Sequence, residues 1–87
     1  MKLIWTEAFA EGYDEFSLDD QVAIYDLLDD LEVRHTSADM RETLRLFPGI
    51  ELWSTTAIAL SKGRARVTWS YDDDRTTIIL IAAAYIN

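Results

Sequence analysis

Lys62, Arg64 and Arg66 fall together in the stretch SKGRARVTW, residues 61–69. They are three of only eight basic side chains in an 87-residue chain whose formal net charge is -8. Cations gathered in this way suit one task above others, the holding of phosphate oxygens. Arg64 and Arg66 are two apart, so on a strand they share one face, with Ala65, Val67, Trp69 and Tyr71 on the other. Lys62 sits in the turn that feeds them. Arg34, Arg41 and Arg45 are candidates to complete a cationic rim, Arg41 and Arg45 being four apart on one face of a helix. Asp39 and Glu42 beside them equally allow ordinary surface pairing. A half-solvated strand also carries polar residues on its wet side as a matter of course.

Other chemistry-bearing groups are sparse. His35 is the single histidine and falls at the expected end of a helix, where a cation complements the helix dipole. Its spacing also leaves a general acid or base role open. Asp72, Asp73 and Asp74 are contiguous, whereas a calcium loop spreads its ligands over about 12 residues. They read as a solvated hairpin turn, and no metal or cofactor is expected. Trp5, Trp53 and Trp69 read as core or sheet-edge aromatics. No phosphate-binding glycine loop, dinucleotide fingerprint or zinc spacing is present in the sequence. There is no cysteine, so neither disulfides nor thiolate chemistry enter.

Elements must position these groups. KLIW, residues 2–5, reads as a short strand. Thr6 then caps a helix with Glu7 in its first turn, and Phe9, Tyr13 and Phe16 form a helical stripe. Gly12 weakens this helix and predicts a short one. Ser17 followed by Asp20 matches a capping pattern and starts a second helix running to about Arg34. Its apolar arc is Leu18, Val22, Ile24, Tyr25, Leu27, Leu28 and Leu31, with Asp19, Asp26 and Asp30 on the other side. Thr36 or Ser37 opens a short helical piece with Met40, Leu44 and Phe47, which Pro48-Gly49 stops. Beyond it the period falls to two. Residues 50–60 and 64–71 read as strands joined by a turn at Gly63, and TTIILIAAAYI as an apolar strand inside the sheet, covered on both faces. The expectation is an α+β fold: one domain over 1–87, a helical hairpin packed on a small antiparallel-rich sheet of three or four strands, in the order β-α-α-β-β-β.

The totals bound the partners. Residues 1–32 carry ten acidic side chains against one lysine, while residues 33–71 carry six basic against three acidic. The acidity disfavours tight nucleic-acid binding, which grows with the number of phosphates neutralised. No apolar run is long enough to cross a membrane, and the opening MKLIWTEAF lacks the features of a signal peptide, so a cytoplasmic location without membrane contact is expected.

The run LFPGIELWSTTAIALSKGRARVTWSYDDDRTTIILIAAAYIN, together with the element order and length, resembles the RelE/ParE toxin superfamily of toxin–antitoxin modules. GIELW is similar to that family's lead-in, RARVTWSY to its third strand and TTIILIAAAY to its last. The resemblance implies a toxin that inhibits translation by metal-independent cleavage of mRNA, often on the ribosome, and that is held by a small cognate antitoxin protein. It implies catalytic roles for Arg66, Arg64 and Tyr85; Lys62, Arg45 and Arg41 are the candidates to bind substrate beside them. The set of cations is depleted: the family's basic positions on the second strand correspond to Thr56, Ala57, Ala59 or Ser61, and YIN follows the last strand.

Two readings stand beside it. The ParE branch of the superfamily poisons DNA gyrase, and a poor cationic cage is less of an obstacle there. An acidic helix face bearing Asp19, Asp26 and Asp30 also suits a protein that imitates nucleic-acid phosphates and blocks a basic partner, as phage and immunity-type inhibitors do.

Overall fold

The computed structural model describes residues 1–47 and 50–86; for 43–47, 50, 58 and 59 the backbone alone is described. The chain runs β1 (Lys2–Trp5), α1 (Glu7–Asp14), α2 (Leu18–Arg34), a 3₁₀ turn (Ala38–Met40), β2 (Thr43–Phe47), β3 (Ile50–Leu60), β4 (Gly63–Tyr71) and β5 (Thr77–Ile86). One mixed sheet holds the strands in the order β1-β5-β4-β3-β2. Only β1 and β5 are parallel; the other pairs are antiparallel. The α+β class and the expected order of elements hold.

One element differs. Residues 43–47, expected at the end of a helical piece, form a strand that pairs Thr43 with Ser54 and Phe47 with Ile50. The sheet therefore has five strands rather than three or four. The sequence TLRLF alternates with period two, and a hairpin to a long β3 satisfies its backbone where an isolated helical turn would not.

Capping decides where the helices begin. Thr6 Oγ1 accepts from the Phe9 amide at 3.2 Å and donates to the Leu80 carbonyl at 2.8 Å, so the start of α1 is fixed to β5. Ser17 Oγ accepts from the Asp20 amide at 3.3 Å and starts α2. The hairpin is closed by a reciprocal pair: Tyr13 donates its hydroxyl to the Gln21 carbonyl, and Gln21 Nε2 donates to the Tyr13 carbonyl, at 3.0 and 3.1 Å.

Both helices lie on one side of the sheet. Gly12 brings α1 down onto β5, where a Cβ at this position would stand 2.4 Å from the Ala83 carbonyl oxygen. The glycine that weakens the helix thus allows its close approach. The core fills the space between: Phe9, Phe16, Ile24, Leu28 and Leu31 from the helices, with Ala65, Val67, Trp69, Ile78 and Leu80 from the sheet. Trp69 is fully buried and donates Nε1 to Thr55 Oγ1 at 2.9 Å, which in turn donates to the Met40 carbonyl at 2.5 Å.

The apolar arc of α2 is narrower than expected. Ile24, Leu28 and Leu31 are buried, but Leu18, Val22 and Tyr25 are exposed. A single sheet face covers only one side of a helix, and the arc spread further round than that. Likewise β5 is interior to the sheet, yet beyond Thr77 at its start only its helix-facing positions Ile78, Leu80 and Ala83 are deeply buried. Its other face is half-covered, because no helix lies on that side.

Candidate functional site

Strand alternation sorts the candidate cations onto two sides. On β4, Ala65, Val67 and Trp69 are buried beneath the helices, and Arg64 and Arg66 are exposed on the opposite, uncovered face. The turn between β3 and β4 is made possible by Gly63, whose φ of 101° is open to glycine without strain. Arg66 pairs in register with Thr56 of β3 and Ala84 of β5, and Arg64 with Ile86. The small partners Thr56 and Ala84 on the two flanking strands leave room around the Arg66 guanidinium.

A carboxylate joins them that the sequence did not single out. Glu42 precedes β2, and its amide extends the ladder by donating to the Ser54 carbonyl at 3.0 Å. Its side chain accepts from the Thr56 amide at 3.0 Å and from the Thr56 hydroxyl at 2.6 Å. Thr56 is the register partner of Arg66, and side chains so paired stand about 5 Å apart at Cβ. Glu42, Thr56 and Arg66 therefore meet on the open face. On the same face by alternation, Ser54 Oγ is buried with no hydrogen-bond partner among the described residues. Read as part of a helix, Glu42 is only a surface partner for Arg41 and Arg45. The period-two run that follows it was the signal that it belongs to the sheet.

The other candidates lie elsewhere. Tyr85 pairs in register with Ala65, whose side chain is on the covered side. Its ring packs on Phe16 at 4.5 Å between centroids, and its hydroxyl donates to Asp20 Oδ2. Tyr85 is thus not brought to the arginine pair: the sheet stands between them. The Lys62 ammonium lies 5.4 Å from the centre of the Tyr85 ring and goes with that residue. Ser61 completes the cluster, donating its amide at 2.8 Å and its hydroxyl at 2.5 Å to the two oxygens of Asp20. The Ser61 amide, the Ser61 hydroxyl and the Tyr85 hydroxyl hold the Asp20 carboxyl down at about 2. The cluster bolts the start of α2 to the β3–β4 turn and to β5.

Arg41 is also directed to the covered side, towards Trp53 and Tyr71, rather than to Arg66. It follows the 3₁₀ turn rather than lying on a helix face with Arg45, and it donates Nε to the His35 carbonyl at 2.8 Å. Its guanidinium lies 4.6 Å from the centre of the Trp53 ring and donates to the Tyr71 hydroxyl. His35 Nδ1 is 2.7 Å from the same hydroxyl, so one phenol bridges the imidazole and the guanidinium. Burial, reinforced by the charge of Arg41, lowers the His35 pKa. In the tautomer that leaves Nδ1 unprotonated, the imidazole accepts the Tyr71 proton while Arg41 donates to the phenol oxygen. Arg45 occupies the register position opposite Leu52; its side chain lies outside the described residues. Among the described residues no group of three or more His, Asp or Glu side chains is placed to hold a metal ion, and the Asp72 carboxylate is spent on the Thr76 and Thr77 amides. No helix is long and apolar enough to cross a membrane.

No protein-family model and no curated protein matches the sequence. Solved structures do match. The chain superposes on the toxin–antitoxin complex RelBE2 from Mycobacterium tuberculosis with a TM-score of 0.70 at 16% identity, covering 98% of this chain and 96% of that one. It superposes on the intact E. coli RelBE toxin–antitoxin complex with a TM-score of 0.66, again at 16% identity, covering 99% and 96%. The chain has a RelE-like fold over nearly its whole length.

Proposed function

We propose that this protein is the toxin half of a toxin–antitoxin module and that it inhibits translation by cutting mRNA on the open face of its sheet. The observation that carries this reading is the placement of Glu42 against Thr56, the strand partner of Arg66, on a face no helix covers. Cleavage of RNA through its own 2′-hydroxyl needs a base for that hydroxyl and positive charge for the phosphate. The Glu42 carboxylate takes the 2′ proton. The 2′ oxygen bonds to the adjacent phosphorus, and the bond from phosphorus to the 5′ oxygen breaks. The leaving oxygen takes a proton from water, and the products are a cyclic phosphate and a 5′ hydroxyl. Arg66 and Arg64 bind the phosphate oxygens, whose charge grows as the bond forms. Thr56 holds the carboxylate in place through two hydrogen bonds. The similarity to toxin–antitoxin complexes supports a cognate antitoxin as the inhibitory partner.

A second reading, inhibition by binding alone, is favoured by one observation: Tyr85 and Lys62 are engaged on the covered side and leave few cations beside Arg66. Both readings are tested by incubating the purified protein with a message in a translation extract and mapping the 5′ ends. Cleavage that falls about 10²–10³-fold in Arg66→Ala, and by a similar factor in Glu42→Gln, supports the nuclease. Inhibition of translation with an intact message supports binding alone, and no inhibition at all refutes the toxin.

A further inference from the structure

The helical hairpin presents a surface that the sheet does not use. On α2, Leu18, Val22, Tyr25 and Val33 are 79%, 62%, 53% and 79% exposed. At 3.6 residues per turn they fall on one stripe, turned away from the buried Ile24, Leu28 and Leu31. The steps are four and three, and then Asp29 stands four after Tyr25 and four before Val33. This is the rhythm of a helix–helix seam, with one acid set into it. Asp19, Asp26 and Asp30 are exposed along one border of the stripe. The ion pairs Arg34–Asp39 and Arg75–Glu51 do not involve this border. Single apolar residues on a surface are ordinary, but four large ones in register along about 22 Å of helix are a patch.

We propose that this stripe docks one amphipathic helix of a protein partner, whose apolar seam meets Leu18, Val22, Tyr25 and Val33 and whose border carries Lys and Arg. One basic side chain of that helix reaches Asp29, and others face Asp19, Asp26 and Asp30. Charge chooses this occupant over the others. A second copy of the chain would bring its own acidic helix against this one, and like charges across an interface suppress pairing. A nucleic acid or an anionic lipid surface is repelled by the same four carboxylates. The stripe is separate from the arginine face, so the inference stands whether or not that face cuts RNA.

The test uses the full-length protein and three synthetic helical peptides. One has the complementary apolar spacing with Lys along one edge. The second replaces each Lys by Glu. The third keeps the composition of the first with the apolar spacing scrambled. Binding is followed by the anisotropy of a dye on the peptide, with circular dichroism confirming that each protein variant is folded. The expected result is saturable binding of the first peptide, weaker by about tenfold or more for the other two and for the proteins Val22→Asp and Tyr25→Asp, but unchanged by Arg66→Ala. Failure of the first peptide to saturate overturns the proposal. So does equal binding of the scrambled peptide, an effect of Arg66→Ala as large as that of Val22→Asp, or a dimer of the protein alone that Val22→Asp dissolves.

Discussion

The two faces of the sheet are made from the same strands and differ in how their polar groups are spent. Beneath the helices most polar side chains are matched to a fixed partner, although Trp53 Nε1 is buried without one among the described residues. Asp20 is held by Ser61 and Tyr85, Trp69 by Thr55, and Tyr71 by His35 and Arg41. On the open face Arg64 and Arg66 are exposed, Thr56 and Glu42 bind each other, and a carboxylate is left at the surface. Burial explains the difference. A polar group under a helix must be satisfied within the protein or it costs stability, whereas an exposed one on the uncovered face, as Arg66 and Glu42 are, is satisfied by water until a ligand displaces it. Function is free to occupy the face where water can be exchanged for phosphate.

Substitution on each face separates the two roles. Trp69→Ala removes a fully buried indole and the donor to Thr55, and is expected to destabilise the protein by about 3–5 kcal/mol in urea unfolding. Arg66→Ala, on the same strand three residues earlier, is expected to change stability by no more than about 0.5 kcal/mol in the same measurement. A loss on Arg66→Ala as large as that on Trp69→Ala would show that the open face is not open.

Gly12 tests the spacing between α1 and β5. Gly12→Ala gains helix propensity, but its methyl meets the Ala83 carbonyl, which is backbone and cannot turn aside. Overpacking should win, with a net loss of about 1–3 kcal/mol on thermal or urea unfolding. A more stable variant would mean that the helix rides higher on the sheet than this contact allows.

The Asp20 cluster gives the covered face a pH dependence of its own. The carboxyl is held at about 2 against 3.8 for an ordinary aspartate, so the unfolded chain binds the proton more readily. The stability this contributes is present above pH 3.8 and is lost as pH falls towards 2. Urea midpoints measured across that interval should fall steeply for the native protein and less steeply for Asp20→Asn. Some slope remains, because Asp72 is also lowered: burial opposes this, but hydrogen bonds from Thr77 and Thr76 outweigh it.

Local signals in the chain were sufficient for the caps at Thr6 and Ser17, the extent of α2, the glycine turn at 63 and the alternation that exposes Arg64 and Arg66. Each depends on neighbours a few residues away. The Glu42 contact was not legible, because it depends on β2 pairing with β3, and a pairing partner is a non-local fact. Tyr85 failed for a related reason. Counting along β5 places it on a face only if the bulge opposite Thr68 and Trp69 is known, and nothing in IILIAAAY marks that extra residue. The width of the apolar arc on α2 misled in the opposite sense, since periodicity reports which residues are apolar and not which of them the protein itself covers.

Tyr85 supplies the finest distinction between the faces. Its hydroxyl is one of three donors to Asp20, and its ring stays packed on Phe16 if the hydroxyl is removed. Tyr85→Phe is therefore expected to lower stability by about 0.5–1.5 kcal/mol, the net worth of one hydrogen bond. It should leave RNA cleavage at the native rate, because the sheet separates this phenol from Arg66 and Glu42. A phenol acting on the leaving group would show the reverse, a large fall in rate with little change in stability. Such a result would move the reacting phosphate from the open face to the rim formed by Lys62 and the end of β5, and the comparison between the two faces would have to be redrawn around that rim.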